Sequence, residues 1–292
     1  MERRNRTVRI ADIVLAISSE HAPHTIDLDE AYRGFLDEGQ PEVSIDAYFG
    51  GLPDLTLRDE DRVFDSQSLW SLYRTGGRHV FVLRWPAGGG CPYRIAVFDE
   101  PLRSGEIHSR LPSPRATPAG LLPNPLEYPL SEILMISLLA RGRGLMVHAC
   151  GIDDGGRGYL FAGNSTHGKT TMARLWANTA CVLNDDRIIL RRREGRLWMY
   201  GTPWHGDLRT ASSRGVPLER ILILRHAGTH DLEPLGGVAA VSHFLARCFP
   251  PFWDREGMTF SLEFASELMA SVPCHVLGFR PNPDVVDFVR GL

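Results

Sequence analysis

Apolar and polar positions alternate near the start of the chain and lose that alternation beyond its middle. Residues 8–18 (VRIADIVLAIS) set Arg9 and Asp12 among apolar positions with a period near two, which predicts an opening β-strand. Residues 78–85 (RHVFVLRW) and 92–98 (PYRIAVF) have the same character. The Gly-rich stretch 86–90 between them predicts a hairpin loop. Up to about 125 the chain reads as strands and turns. Residues 112–129 then hold six prolines and little periodicity, so a domain boundary is drawn there, between 125 and 126.

Past that boundary the period changes. Residues 130–140 (LSEILMISLLA) have helical apolar spacing, and 144–152 (GLMVHACGI) form a continuous apolar run that predicts a buried strand. A tight turn over 153–158 (DDGGRG) leads to a second strand, 159–162 (YLFA), which runs straight into a Gly-rich loop. Residues 170–178 (TTMARLWAN) predict the helix after it, with Met172, Leu175 and Trp176 on one side. A short strand over 180–183 (ACVL) ends in Asn184-Asp185-Asp186. Residues 187–192 and 197–200 then predict a hairpin around the turn 193–196, followed by a turn over 201–207 (GTPWHGD).

Composition narrows the function classes. With 43% hydrophobic and 23% charged residues the chain is an ordinary globular one, and 292 residues suit one large domain or two unequal ones. A formal net charge of −3 gives no basic surplus for nucleic acid, and Arg191-Arg192-Arg193 reads as a solvated strand end. The five cysteines are scattered with no C-x-x-C pair, which predicts reduced thiols in a cytoplasmic protein, Cys150 and Cys181 serving as small core residues. No apolar run reaches membrane-spanning length, since the longest, near 133–140, contains Ser137 and ends at Arg141. The basic start is followed by alternation rather than by the apolar block of a signal peptide. A homo-oligomer is compatible with all of this.

The chemistry concentrates around a single lysine. Of the 32 lysines and arginines only Lys169 is lysine, and it lies in Gly163-Asn164-Ser165-Thr166-His167-Gly168-Lys169-Thr170, a match to G-x-x-x-x-G-K-[ST]. The strand–loop–helix context supplies the mechanism. Loop N–H groups and the helix N-terminus cradle an anion, the glycines allow close backbone approach, and the compact ammonium reaches the β- and γ-phosphates. Residues 163–171, Thr171 included, are therefore the nucleotide-binding candidates, with ATP as ligand. Thr170 offers its hydroxyl to Mg²⁺, and His167 reads as a spacer. Asp185 and Asp186, side by side at a strand end, repel each other unless a cation neutralises them. One would bind metal and the other accept a proton from an attacking hydroxyl, although an Asx turn capping the strand would also account for such a pair. The leading assignment is Asp186 with Thr170 on the metal and Asp185 as base. His148, mid-strand, points to the same edge of the sheet; a core histidine bonded to backbone is the plain alternative.

Together these residues resemble a known family. The run VHACGID…GYLFAGNSTHGKTT…VLNDDRIIL…YGTPWHGD is similar to the catalytic domain of HPr kinase/phosphorylase and its kinase relatives, some of which phosphorylate a serine hydroxyl in the biosynthesis of ribosomal peptides, lasso peptides among them. The resemblance extends to LEYPLSEILMISLLARGRGLMVHA before the loop and to VPLERILILR, PLGG and VPCHVLGFRP after it, over about 126–292. It implies an α/β fold shared with phosphoenolpyruvate carboxykinase, a P-loop-containing mixed-sheet catalytic domain with the nucleotide loop at one edge. The β-rich residues 1–125 lie outside the resemblance and are expected to form an N-terminal accessory domain that chooses the substrate. The resemblance places the phosphate loop on Gly163 to Thr170, a catalytic histidine on His148, and the acid/base and metal-binding pair on Asp185 and Asp186. The function implied is ATP- and Mg²⁺-dependent phosphoryl transfer to a hydroxyl, most simply serine of a peptide or protein, with Lys169 in the catalytic set. Two positions depart from the family: Thr171 stands where HPr kinases usually carry an acidic residue, and the downstream signature that engages HPr is missing. Two other classes stay open, a phosphoenolpyruvate carboxykinase-like enzyme and a non-catalytic nucleotide-binding or peptide-recognition module.

Overall fold

The protein, seen in a computed structural model, is described for residues 6–19, 25–85, 90–110, 121–164 and 167–292. Most of the loop expected over 86–90, the start of the proline-rich segment, and the candidate residues Ser165 and Thr166 lie outside the described residues. Two compact units are present, Met1–Leu134 and Met135–Leu292. The division falls inside the helix expected over 130–140, later than the boundary drawn from the prolines. No helix among the described residues is long and apolar enough to cross a membrane.

The N-terminal unit is built from β1 (Arg6–Ile10), β2 (Ile13–Ser19), β3 (Thr25–Ile26), β4 (Val43–Phe49), β5 (Arg62–Asp65), β6 (Trp70–Thr75), β7 (Arg78–Arg84), β8 (Pro92–Asp99), β9 (Ser104–Ser109) and β10 (Leu121–Leu122). Eight of these form one mixed sheet in the order β1-β2-β4-β9-β8-β7-β6-β5, while β3 and β10 pair separately. The expected hairpin is β7–β8, antiparallel with Phe81 opposite Ala96. The single strand expected over 8–18 is instead a tight hairpin of β1 and β2. Ala11 and Asp12 turn the chain at φ 47° and 60°, the doubly left-handed geometry that matches strand twist. Arg9 leaves the alternation to bond Asp37, Nε to Oδ2, at 2.8 Å.

Arg94 on β8 is wholly buried. Its Nε donates to Ser109 Oγ at 3.0 Å, and Nη2 reaches the Asn124 carbonyl and Glu127, each at 3.4 Å. Burial pulls its pKa down while Glu127 and Tyr93 oppose the shift. The guanidinium stays charged.

The C-terminal unit follows α1 (Leu130–Leu139), which crosses the division between units. It comprises β11 (Leu145–Asp154), β12 (Arg157–Ala162), α2 (Lys169–Trp176), β13 (Cys181–Asn184), β14 (Arg187–Arg193), β15 (Arg196–Tyr200), β16 (Gly215–His226), β17 (Asp231–Pro234), α3 (Gly237–Leu245), α4 (Arg255–Ser271), β18 (Cys274–Phe279) and α5 (Asp284–Arg290). Antiparallel pairings link β12 to β11, β11 to β14, β14 to β15 and β15 to β16, and a parallel pairing returns β16 to β12, so these pairings close a circuit. Beyond it, β18 lies parallel to β16 and antiparallel to β17, and β13 pairs with β11. The sheet is mixed, as expected. However, the strand that feeds the Gly-rich loop has partners on both sides rather than standing at an edge. Its sequence explains why: from Gly158 to Ala162 every residue is buried, as in a strand covered on both faces.

Alternation along β12 sorts the two cores. Tyr159 and Phe161 join Met172, Ala173 and Trp176 of α2, whereas Leu160 and Ala162 join Phe244 of α3 and Phe264 and Leu268 of α4. Each fully buried side chain of the size of Phe161 contributes about 1.5–3 kcal/mol. Cys150 and Cys274 are buried core residues whose thiols burial pushes up, Cys274 to about 11. Cys181 is partly buried against the same packing.

Candidate functional site

The end of β12 delivers Gly163 and Asn164, and α2 begins at Lys169, so the described part of the loop stands over a helix N-terminus. Gly168 turns the chain into α2 at φ +92°, and a Cβ there would sit 2.6 Å from the Phe279 ring. Glycine is required for both reasons. The Lys169 ammonium is largely buried and folds back on its own loop, donating to Gly163 O at 2.9 Å and Asn164 O at 3.0 Å. Burial lowers its pKa, against the pull of Asp186.

Asn184 ends β13 and organises the acidic pair. Its Oδ1 accepts from the backbone N–H groups of Asp186 (2.7 Å) and Arg187 (2.9 Å), and its Nδ2 donates to Thr202 O at 2.9 Å. The Asx turn considered as an alternative is thus present, yet Asn184 makes it, so neither aspartate side chain is spent on it. From the sequence Asn184 read only as part of the strand's end; an Asn with two residues of turn after it was the available signal.

The two carboxylates then diverge. Asp185 is buried and faces the 201–208 turn, accepting from Gly206 N at 2.9 Å and Leu208 N at 3.2 Å. Its Oδ2 also accepts from Thr170 Oγ1 at 3.3 Å. Gly206 has to be glycine for this contact, because a Cβ would lie 2.8 Å from Asp185 Oδ2. Asp186 turns the other way. Its Oδ1 lies 2.9 Å from His148 Nδ1, and its Oδ2 accepts from Arg187 Nη1 at 2.5 Å. Burial would raise the Asp186 pKa, but the His148 hydrogen bond and the charges of Arg187, His148 and Lys169 outweigh it and hold the carboxyl below its ordinary value.

His148 sits opposite Arg187 in the β11–β14 register, which is what brings β11 to the acidic pair. Arg187 Nη1 also lies 3.1 Å from His148 Nδ1. Since a guanidinium only donates, and the carboxylate is the nearer partner, we assign the Nδ1 proton to the bond with Asp186, which leaves Nε2 as the acceptor. The histidine is therefore not merely a core residue bonded to backbone.

Lys169, Thr170, Thr171, Asp185, Asp186 and His148 line one cavity of about 470 Å³, together with Gly168 and the 206–207 turn. His167 stands outside that lining, ring-to-ring with His226 at 6.3 Å. Asn164 faces a neighbouring cavity, and Gly163 contributes its carbonyl to Lys169. Oxygen donors of the Thr170–Asp185 kind suit a hard divalent cation that completes its shell with water and phosphate. Among the described residues no group of three or more His, Cys, Asp or Glu forms a closed protein cage. Arg187, Gly206 and Asp207, like Asn184, were not among the candidates read from the sequence.

No family model matches the chain, and no curated protein matches it. Among solved structures, the chain is similar to the HPr(Ser) kinase/phosphatase from Coxiella burnetii, at 13% identity and a TM-score of 0.31, over 50% of this chain and 94% of that one.

Proposed function

We propose that the C-terminal unit is an ATP- and Mg²⁺-dependent kinase that transfers the γ-phosphoryl group to a hydroxyl, serine of a peptide or protein being the acceptor. The observation that carries this reading is the meeting, in one cavity, of the buried lysine of a Gly-rich loop, a hydroxyl–carboxylate pair and a histidine–carboxylate pair. Catalysis in such a site is positioning and charge neutralisation.

Lys169 would leave the loop carbonyls for the β- and γ-phosphates, with loop N–H groups and the start of α2 around them. Thr170 and Asp185 would hold Mg²⁺, which when bound neutralises charge on the transferring phosphate. His148 Nε2 would take the acceptor's proton as its oxygen bonds to phosphorus and the bond to ADP breaks. Asp186 fixes the tautomer and stabilises the imidazolium that results. Relative to the sequence expectation, the metal passes from Asp186 to Asp185, and the base passes from Asp185 to His148, with Asp186 orienting it. The support is that Asp185 spends its oxygens on Gly206, Leu208 and Thr170, whereas Asp186 holds the histidine.

Transfer from γ-labelled ATP to a serine-containing peptide, measured for the wild type, Lys169→Ala and Asp185→Asn, tests the assignment. Both variants should lose transfer, and transfer that survives both sinks it. His148→Gln should lower kcat far more than it raises the KM for ATP.

A further inference from the structure

A second cavity, of about 280 Å³, opens on the other side of His148. Its wall is set by backbone pairing. The His148 N–H donates to Arg247 O at 2.7 Å, Val147 bridges to Cys248, and the Phe249 N–H donates to Met146 O at 2.9 Å. The 247–249 segment therefore runs along β11 on the side away from β14. His148 has Arg187 opposite it on one side and Arg247 beside it on the other. The Phe249 ring lies beneath the Arg187 guanidinium at 4.3 Å and edge-on to His148 at 6.2 Å.

The charge in this cavity is one-sided. Two guanidiniums and the imidazole line it, and among the described residues no carboxylate does. Arg187 already has Asp186, but among the described residues the Arg247 side chain is anchored only through Nη1 to His243 O, and its buried Nε meets no hydrogen-bond partner there. A buried donor of a permanently charged group left in this state, where it also borders a cavity, can be satisfied by an anion. Gly168, Lys169, Thr170 and Thr171 of the phosphate loop and the carboxylate of Asp185 line the first cavity, and of the loop's described residues Asn164 alone reaches this one, so an anion here is assigned to whatever approaches His148 from the far side.

We propose that this cavity is the acceptor subsite, and that it takes a carboxylate carried close to the hydroxyl that receives the phosphoryl group. The proposal rests on the kinase reading and refines its substrate class to an acidic peptide. Two sources share that chemistry, a peptide's terminal carboxylate next to serine and an Asp side chain beside an internal serine. The Arg187–Phe249 stack would form one wall of the subsite, with Arg247 as the specificity-determining charge.

The test uses the full chain with Mg²⁺ and a non-hydrolysable ATP analogue, and reads peptide binding by calorimetry. Four serine peptides are compared: one ending in a free carboxylate after serine, the same peptide amidated, one with Asp beside an internal serine, and its Asn counterpart. At least one carboxylate peptide should bind about tenfold more tightly than its neutral partner, the winning pair identifying the source. Arg247→Met should abolish that preference. Arg247→Lys should restore part of it, since the charge returns without the fork. In transfer assays Arg247→Met should raise the peptide KM and leave the ATP KM within about twofold. Equal affinity within both pairs for the wild type overturns the subsite without relying on any variant. So does a rise in the ATP KM alone, which would give the cavity to the nucleotide. A carboxylate preference with no transfer keeps the subsite and removes the kinase reading; transfer without preference does the reverse.

Discussion

In the N-terminal sheet a charged side chain, Arg94, is wholly enclosed by Ser109, Asn124 and Glu127, deep in an eight-stranded array dominated by antiparallel neighbours. In the C-terminal unit Lys169 and Asp185 are also buried, but they stand at the ends of elements, against a cavity, and the groups they bond are loop carbonyls, turn N–H groups and a hydroxyl. Burial is similar; what differs is whether the partners are replaceable. Arg94 is held by groups from the surrounding sheet and a following turn, so its charge serves packing and hydrogen bonding. Lys169 is held by loop carbonyls, which the phosphate oxygens of the proposed nucleotide would replace, so on that reading its charge is available for chemistry.

Exchanging each charge for an apolar side chain of similar length tests that contrast most severely. Lys169→Met should reduce phosphoryl transfer on the order of 10³-fold, measured with labelled ATP, while the melting temperature falls little or rises. Arg94→Met should do the opposite in kind, shifting stability in urea titrations by no more than about 1.5 kcal/mol, whereas Arg94→Ala, which leaves a hole and stranded partners, should cost about 3 kcal/mol. If Lys169→Met lost as much stability as Arg94→Ala, the distinction between the two burials would collapse. Next in size is Gly206→Ala. The added methyl meets Asp185, so transfer should drop about tenfold with a destabilisation of about 1–3 kcal/mol.

The smallest effect is in the acid limb. The folded Asp186 carboxyl lies below its ordinary value of 3.8, so its stabilising contribution is complete above that pH and is lost as pH falls through the lower folded value. The melting temperature of the wild type minus that of Asp186→Asn should accordingly be constant above about pH 5 and shrink toward pH 2. A difference that grew on acidification would contradict the His148–Asp186 bond.

The sequence made local features readable and hid those that depend on distant pairing. Lys169 was legible because glycine spacing, a strand before and a helix after are all adjacent in the chain. The β7–β8 hairpin was legible because alternation and a Gly-rich loop lie side by side. The β1–β2 turn was not, since Ala11-Asp12 carries no glycine or asparagine to announce positive φ. The parallel neighbours β2, β4 and β9 were equally hidden, because their pairing joins separated segments. At the site, the two aspartates could be named but not told apart. Their difference comes from Gly206 and Leu208 on one side and from the β11 register on the other. Arg247 could not be anticipated at all, because only the pairing of 247–249 with β11 brings it beside His148.

The lysine's bonds to Gly163 and Asn164 carry a kinetic consequence. On the proposed reading the protein holds an internal competitor for its nucleotide: two carbonyls already occupy the ammonium that the phosphates would need. Association then requires those bonds to let go first, so the observed binding rate should climb with ATP concentration and level off at the rate of release. The affinity measured at equilibrium is that of an exchange, weaker than the phosphate contacts alone would give by the stability of the closed loop.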